Sequence, residues 1–163
     1  MAIKECDKNK ELLEWSKKNV KNQKNPNISL IIPGLYLGNL KGASDLKSLN
    51  VREIQVVVNV GLGSSMNQFP NEFLYVNGIA EDKDGGFEKK EMMHLIDLVH
   101  EHLSNDKKVL VHCKGGISRS AIVVIGYLMK YKKYNLIDSK NIVTNGRKQI
   151  SPRKSFLEIL NSL

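Results

Sequence analysis

The run Ile54–Val60, IQVVVNV, constrains the fold of this chain more than any other stretch. It is β-branched and nearly continuous, so it predicts a strand buried on both faces. Such a strand needs a covering layer on each side, which a helix-flanked sheet supplies. Val109–Val111 predicts a second short buried strand, and Ile28–Ile32 a third, closed by the turn pair Pro33-Gly34. Leu35–Gly38 and Phe73–Ile79 are further strand candidates. Between and after them lie helical patterns. Phe87–Leu103 carries apolar residues at Met92, Leu95, Ile96, Val99 and Leu103, and Ser118–Tyr131 is apolar throughout. Residues 42–49, 135–148 and 152–162 complete the set, with Pro152 at the start of the last. Strands alternating with helices, then helices to the end, predict an α/β layer fold.

A length of 163 residues suits one domain with one core. Residues 21–27, KNQKNPN, read as a linker, so the compact domain is expected over 28–163. Residues 1–27 would be an N-terminal charged helix and that linker. The helix, over 4–19, has only Leu12, Leu13 and Trp15 as apolar members, which leaves packing on the domain and binding a partner equally open. The net charge is +8. Such a charge suits nucleic acid, an acidic membrane surface or an anionic substrate. The lysines are spread along the chain, with no zinc-knuckle, RNA-recognition or helix-turn-helix signature. A basic surface serving a phosphorylated ligand is the better reading, and no nucleic-acid partner is expected. No apolar run approaches the ~18 residues of a membrane span. No apolar block follows Met1, as a secretory signal would require. Cys6 and Cys113 are too few for a disulfide framework. Free thiols in a cytoplasmic setting are expected, with a nuclear fraction left open, and Cys6 is expected to be inert.

Chemistry concentrates in His112-Cys113-Lys114-Gly115-Gly116-Ile117-Ser118-Arg119, between a predicted strand and a predicted helix. Helix-start N–H groups and successive loop amides make such a junction an anion site. Gly115 and Gly116 let the backbone approach a ligand closely. The planar fork of Arg119 is able to hold two phosphate oxygens. A thiol in such a field becomes a nucleophile, because a helix N-terminus and nearby cations lower the ordinary value of about 8.5 to roughly 3.5–7.5. The residues thus predict a thiolate at Cys113 beneath a phosphate bound by positions 113–119. No metal and no cofactor are required.

The spacing H-C-x-x-G-x-x-R resembles the cysteine-dependent protein phosphatases. Ser120 and Ile125-Gly126-Tyr127-Leu128-Met129 are similar to the dual-specificity branch of that superfamily, in its small type consisting of the catalytic domain alone. Ile32-Pro33-Gly34-Leu35-Tyr36-Leu37-Gly38 resembles its opening strand and Val58-Asn59-Val60 its central one. Gln149-Ile150-Ser151-Pro152 with Phe156 and Leu157 resembles its closing helix. The likeness runs from about Ile28 to Leu160. It implies a central mixed, mainly parallel sheet flanked by helices. It also implies hydrolysis of phosphate monoesters on phosphotyrosine and phosphoserine/threonine of proteins through a phosphocysteine intermediate, by a monomer or weak dimer. Two positions depart from the pattern: Arg153 stands where Asn is usual and Ile159 where Gln is usual. Both are expected to lie away from the loop, affecting packing and rim rather than chemistry.

The family places a general acid on a loop before the cysteine, to protonate the oxygen that leaves. Counting along the pattern from Tyr75 puts it on Asp82, with Asp84 as rival and Glu81 behind both. By resemblance, Ser120 assists departure of the thiolate, and His112 orders the loop and favours the thiolate. Two other functions stay open. One is a phosphatase of phosphoinositide, other lipid or RNA phosphate, with which Lys114 is compatible but which the apolar Ile117 disfavours. The other is a dead phosphatase that binds phosphopeptides without cleaving them, which the joint presence of Cys113, Arg119 and Asp82 disfavours. Asp82–Gly86 fails as a calcium loop because Phe87 and Met93 occupy the positions of its Gly and Glu. Gly61-Leu62-Gly63 lacks the third glycine of a dinucleotide fingerprint. His94, His100 and His102 lack the i, i+4 spacing of a helical metal site.

Overall fold

The computed structural model describes the backbone of residues 2–163 and the side chains from Lys10 onward; the expectation for Cys6 falls outside the described side chains. Five strands form one sheet in the order β1-β2-β5-β3-β4. They are β1 (Ile28–Ile32), β2 (Leu35–Gly38), β3 (Val56–Val60), β4 (Leu74–Gly78) and β5 (Val109–His112). β1 and β2 are antiparallel around Pro33-Gly34, and β2, β5, β3 and β4 are parallel. This is the mixed, mainly parallel sheet expected. Helices are α1 (Ala2–Asn19), α2 (Leu40–Ala43), α3 (Leu46–Val51), α4 (Lys89–Ser104), α5 (Arg119–Tyr131), α6 (Leu136–Gly146) and α7 (Lys154–Asn161).

The predicted helix over 42–49 is instead two short ones. Asp45 breaks it, because its carboxylate accepts from Ser48 N and caps the second piece. A single 3₁₀ turn over Ser64–Met66, for which the sequence carries no apolar period, follows β3.

β3 is buried along its whole length, as its β-branched run predicts. Val56, Val58 and Val60 enter the larger core, with Val109 and Val111 of β5 and the inner faces of α4 and α5. Val57 and Leu110 point the other way, into a smaller core with Ile28, Leu49 and Phe73. α1 docks on the domain: Leu12 and Leu13 pack at the larger core, Ser16 and Val20 are buried, and Leu12 N donates to Tyr134 Oη. Ser16, and Val20 just past the helix, are buried positions that its sparse apolar stripe did not reveal.

Register places the site. Gly38 of β2 and Asn59 of β3 lie level with His112 at the end of the central strand β5. The C-terminal ends of the parallel strands therefore converge where the chain enters the loop before α5, the usual position of a ligand crevice in such sheets.

Candidate active site

Every carbonyl from Cys113 to Ser118 accepts a hydrogen bond from outside the loop's centre. His112 Nδ1 meets Cys113 O at 3.3 Å. Leu40 N donates to Lys114 O, Ser151 N to Ile117 O and Ile122 N to Ser118 O. The remaining two are served by Arg147, whose Nε donates to Gly116 O at 2.8 Å and Nη2 to Gly115 O at 3.4 Å. With the carbonyls held outward, the peptide dipoles turn their positive ends inward, an anion-binding nest. Gly116 N points at Cys113 Sγ, 3.3 Å away. Gly116 sits at φ +65°, and a Cβ there would lie 2.5 Å from Gly38 O, so only glycine fits.

Cys113 is buried, and its Sγ lies 3.1 Å from Ser120 Oγ in the first turn of α5. The structure thus brings Cys113, Gly116, Ser120 and His112 together as the spacing implied. His112 is buried and its pKa falls from 6.5 to about 4, because burial disfavours the cation; the bond to Cys113 O opposes that shift. Its imidazole is therefore neutral near pH 7 and touches the Cys113 carbonyl rather than the thiol. Arg119 is half-buried. Its Nη1 lies 3.5 Å from both Gly61 O and Ala80 O, while its Nε is buried without a hydrogen-bond partner among the described residues. An unserved buried donor is costly unless an acceptor arrives, and an oxyanion over Cys113 is such an acceptor. Lys114, Gly115 and Ile117 form the exposed lip, and Ser118 is buried beneath it.

Two residues to which sequence reasoning gave no role in the site build this geometry. Arg147, at the end of α6, is 1% exposed. Besides the two loop carbonyls, its Nη1 donates to Pro26 O (2.7 Å) and Ser29 Oγ (3.1 Å). Burial presses its guanidinium below the ordinary arginine value, and negative charge on Cys113 opposes that. No carboxylate pairs with it among the described residues. Its signal in the sequence was only its place just before Gln149-Ile150-Ser151-Pro152. Asn59 is the other. Its amide donates to Gly63 O and Asn67 Oδ1 and its Oδ1 accepts from Leu62 N, which fixes the turn presenting Gly61 O to Arg119.

One expectation about Arg153 needs correction. It does not lie away from the loop: its backbone N donates to Ser118 Oγ, and its Nε donates to Asp82 Oδ1 at 2.8 Å. The chain turns into α7 at this residue, which sets its side chain across the loop carrying Asp82. Ile159 does lie away, packed at the edge of the larger core. Of the acid candidates, Asp82 is held by Arg153, Asp84 accepts from Ser155 Oγ and Glu81 pairs with Lys83. The helical histidines find other uses, His100 stacking on Tyr131 at 3.7 Å between centroids. Lys130 pairs with Asp97 at 2.6 Å. No helix among the described residues is long and apolar enough to cross a membrane.

Comparison with known proteins agrees with this geometry. Residues 35–163 match the dual specificity phosphatase catalytic domain. Protein 123R of Invertebrate iridescent virus 6, whose name places it among tyrosine phosphatases, is 33% identical over 130 residues, 80% of this chain and 87% of the viral protein. Human dual specificity protein phosphatase 2 is 34% identical over 127 residues, 78% of this chain but only 40% of the human one. Among solved structures, the human tyrosine phosphatase-like serine/threonine/tyrosine-interacting protein superposes with a TM-score of 0.77 at 26% identity, over 85% of this chain and 95% of that one.

Proposed function

This chain belongs to the dual specificity phosphatase family of protein phosphatases, and we propose that it hydrolyses phosphate monoesters on phosphotyrosine and phosphoserine/threonine of proteins through a phosphocysteine intermediate. The observation that carries this reading is the set of outward-held carbonyls around Cys113, with Arg119 Nε left unserved beside them. A phosphoryl group over Sγ meets inward amides and a guanidinium, and charge on its equatorial oxygens is stabilised as the bond to sulfur forms.

Cys113 Sγ attacks phosphorus while the bond to the leaving oxygen breaks. Asp82 gives that oxygen a proton. Water then attacks the phosphocysteine, Asp82 accepts a proton from it, and the Ser120 hydroxyl donates to the departing thiolate from 3.1 Å. His112 acts as a neutral group that fixes the Cys113 carbonyl. Arg119 and the amides of Cys113, Lys114, Gly115, Gly116, Ile117 and Ser118 hold the phosphate. We take residues 28–163 as the catalytic domain, with α1 docked on it, acting as a monomer or weak dimer on phosphorylated proteins. The half-exposed Ile117 on the lip supports a protein substrate over a lipid or RNA phosphate, which would favour a second cation there.

The test is phosphate release by the purified chain with reductant and without added metal. Phosphotyrosine peptide, phosphothreonine peptide and a phosphoinositide are compared, each also with Cys113→Ser and Asp82→Ala. Turnover of both peptides, abolished by the first variant and strongly reduced by the second, is the expected result. Turnover of lipid alone, or peptide binding without turnover, sinks the reading. The second outcome would make the chain a reader, a role suggested by the name of its phosphatase-like structural neighbour.

A further inference from the structure

The loop carrying Asp82 is exposed and closed mainly on itself: Glu81 N donates to Gly86 O, Lys83 N to Glu81 O and Gly86 N to Lys83 O. Gly85, at φ +75°, has open space around it. Nothing within such a turn fixes where the Asp82 carboxyl points. That is fixed from outside, by the chain entering α7. Arg153 Nε donates to Asp82 Oδ1 at 2.8 Å, and Nη2 donates to the Asp82 carbonyl. Nη1 lies 3.9 Å from Asp84 Oδ1, which also accepts from Ser155 Oγ at 2.8 Å. The same residue's backbone N donates to Ser118 Oγ in the phosphate loop at 3.0 Å. Arg153 thus bridges the two halves of the site.

We infer that Arg153 is a positioning residue for the proton-transfer step, a role resting on Asp82 as the general acid. Its fork grips both the side chain and the backbone of Asp82, which sets the direction of the carboxyl as well as its place. Because Oδ1 accepts from Nε, the transferable proton sits on Oδ2. As the phosphorus–oxygen bond breaks, that proton passes to the leaving oxygen, and Asp82 becomes a carboxylate already paired with a guanidinium. In the second step Oδ2 takes a proton from water and the cycle closes. An Asn at this position, as the family pattern has it, supplies neither the charge nor the fork, so this chain's departure falls on the acid itself.

The experiment separates proton transfer from everything else by the leaving group. Values of kcat and KM are measured for phenyl phosphate, whose leaving oxygen needs a proton, and for an activated fluorinated umbelliferyl phosphate, whose leaving oxygen does not. Wild type, Arg153→Ala, Arg153→Lys and Asp82→Ala are compared. Arg153→Ala is expected to lower kcat/KM, which reports only the steps through phosphocysteine formation, about tenfold on phenyl phosphate, part of the 10²–10⁴ that general acid catalysis supplies, and by less than about twofold on the activated ester. The inhibition constant for inorganic phosphate stays within about twofold, since phosphate contacts are untouched. Arg153→Lys recovers only part of the loss, because an ammonium lacks the fork. Asp82→Ala gives the same pattern more steeply. Equal losses of kcat/KM on the two esters in Arg153→Ala, or a rise of it on phenyl phosphate, would overturn the inference while a steep Asp82→Ala leaves the acid in place. If Asp82→Ala itself shows no dependence on the leaving group, Asp82 is not the acid and the role of Arg153 falls with it.

Discussion

Arg147 Nε donates to the carbonyl of Gly116 at 2.8 Å, from a side chain whose other donors hold Gly115, Pro26 and Ser29. A buried cation without a carboxylate partner is unfavourable unless negative charge arrives nearby. On the proposed mechanism that charge is the thiolate of Cys113 and the phosphate bound above it. Arg147→Ala leaves several buried acceptors unserved and is expected to cost roughly 3 kcal/mol or more in urea unfolding. Arg147→Lys keeps the charge without the fork. It is expected to fold, yet to bind inorganic phosphate about tenfold more weakly as a competitive inhibitor. Unchanged phosphate affinity in the lysine variant would contradict this role.

Gly116→Ala tests the loop from the opposite side. The new methyl would lie 2.5 Å from Gly38 O and 2.7 Å from Arg147 Nη2, at a positive φ. The loop must open to admit it, so kcat/KM is expected to fall by about 100-fold or more, the effect of misplacing reacting groups by an ångström. Circular dichroism should show the sheet and helices intact. Near-normal turnover would mean that the loop relaxes without loss.

On the proposed mechanism Ser120, 3.1 Å from Cys113 Sγ, donates to the thiolate when sulfur leaves phosphorus. Ser120→Ala is therefore expected to spare the first displacement and slow the second. Rapid mixing with p-nitrophenyl phosphate should show a burst of nitrophenol close to one equivalent, then a steady rate about 10- to 100-fold below wild type. A slow reaction without a burst would place the role of Ser120 before the phosphocysteine.

His112 links stability to pH. Its folded pKa, about 4, lies below its ordinary 6.5, so the unfolded chain binds the extra proton between those values. The contribution is fully present above pH 6.5 and is lost as pH falls towards 4. Unfolding free energy should be about 2 kcal/mol lower at pH 5 than at pH 7.5 through this residue. His112→Gln should flatten that part of the profile, and an unchanged slope would show that another group carries it.

Much of the fold was legible because burial on both faces leaves a plain mark: Val56–Val60 and Val109–Val111 admit few readings other than inner strands. The candidate phosphate loop was legible because glycines, a thiol and an arginine cluster within eight residues. Arg147 and Arg153 were not, since each acts across a long sequence separation, on Gly116 and Asp82 respectively. Their partners are carbonyls and a carboxylate that no local pattern points to. The split of the helix over 42–49 was hidden for a different reason, because Asp45 caps as readily as it sits on a helix surface. The docking of α1 turned on Ser16, whose burial no apolar period announces; its hydroxyl accepts from Asn145 Nδ2.

Pro26 O receives both Arg147 Nη1 and Gln149 Nε2, and the Gln23 side chain ties Val20 and Leu30 to Gly146. The peptide ahead of β1 and the loop between β5 and α5 therefore close on one clamp. A cut or a slackening between α1 and β1, far along the chain from Cys113, reaches the loop without altering a single residue of it. Amide exchange at Gly115 and Gly116 becomes a gauge of how firmly residues 20–27 are seated.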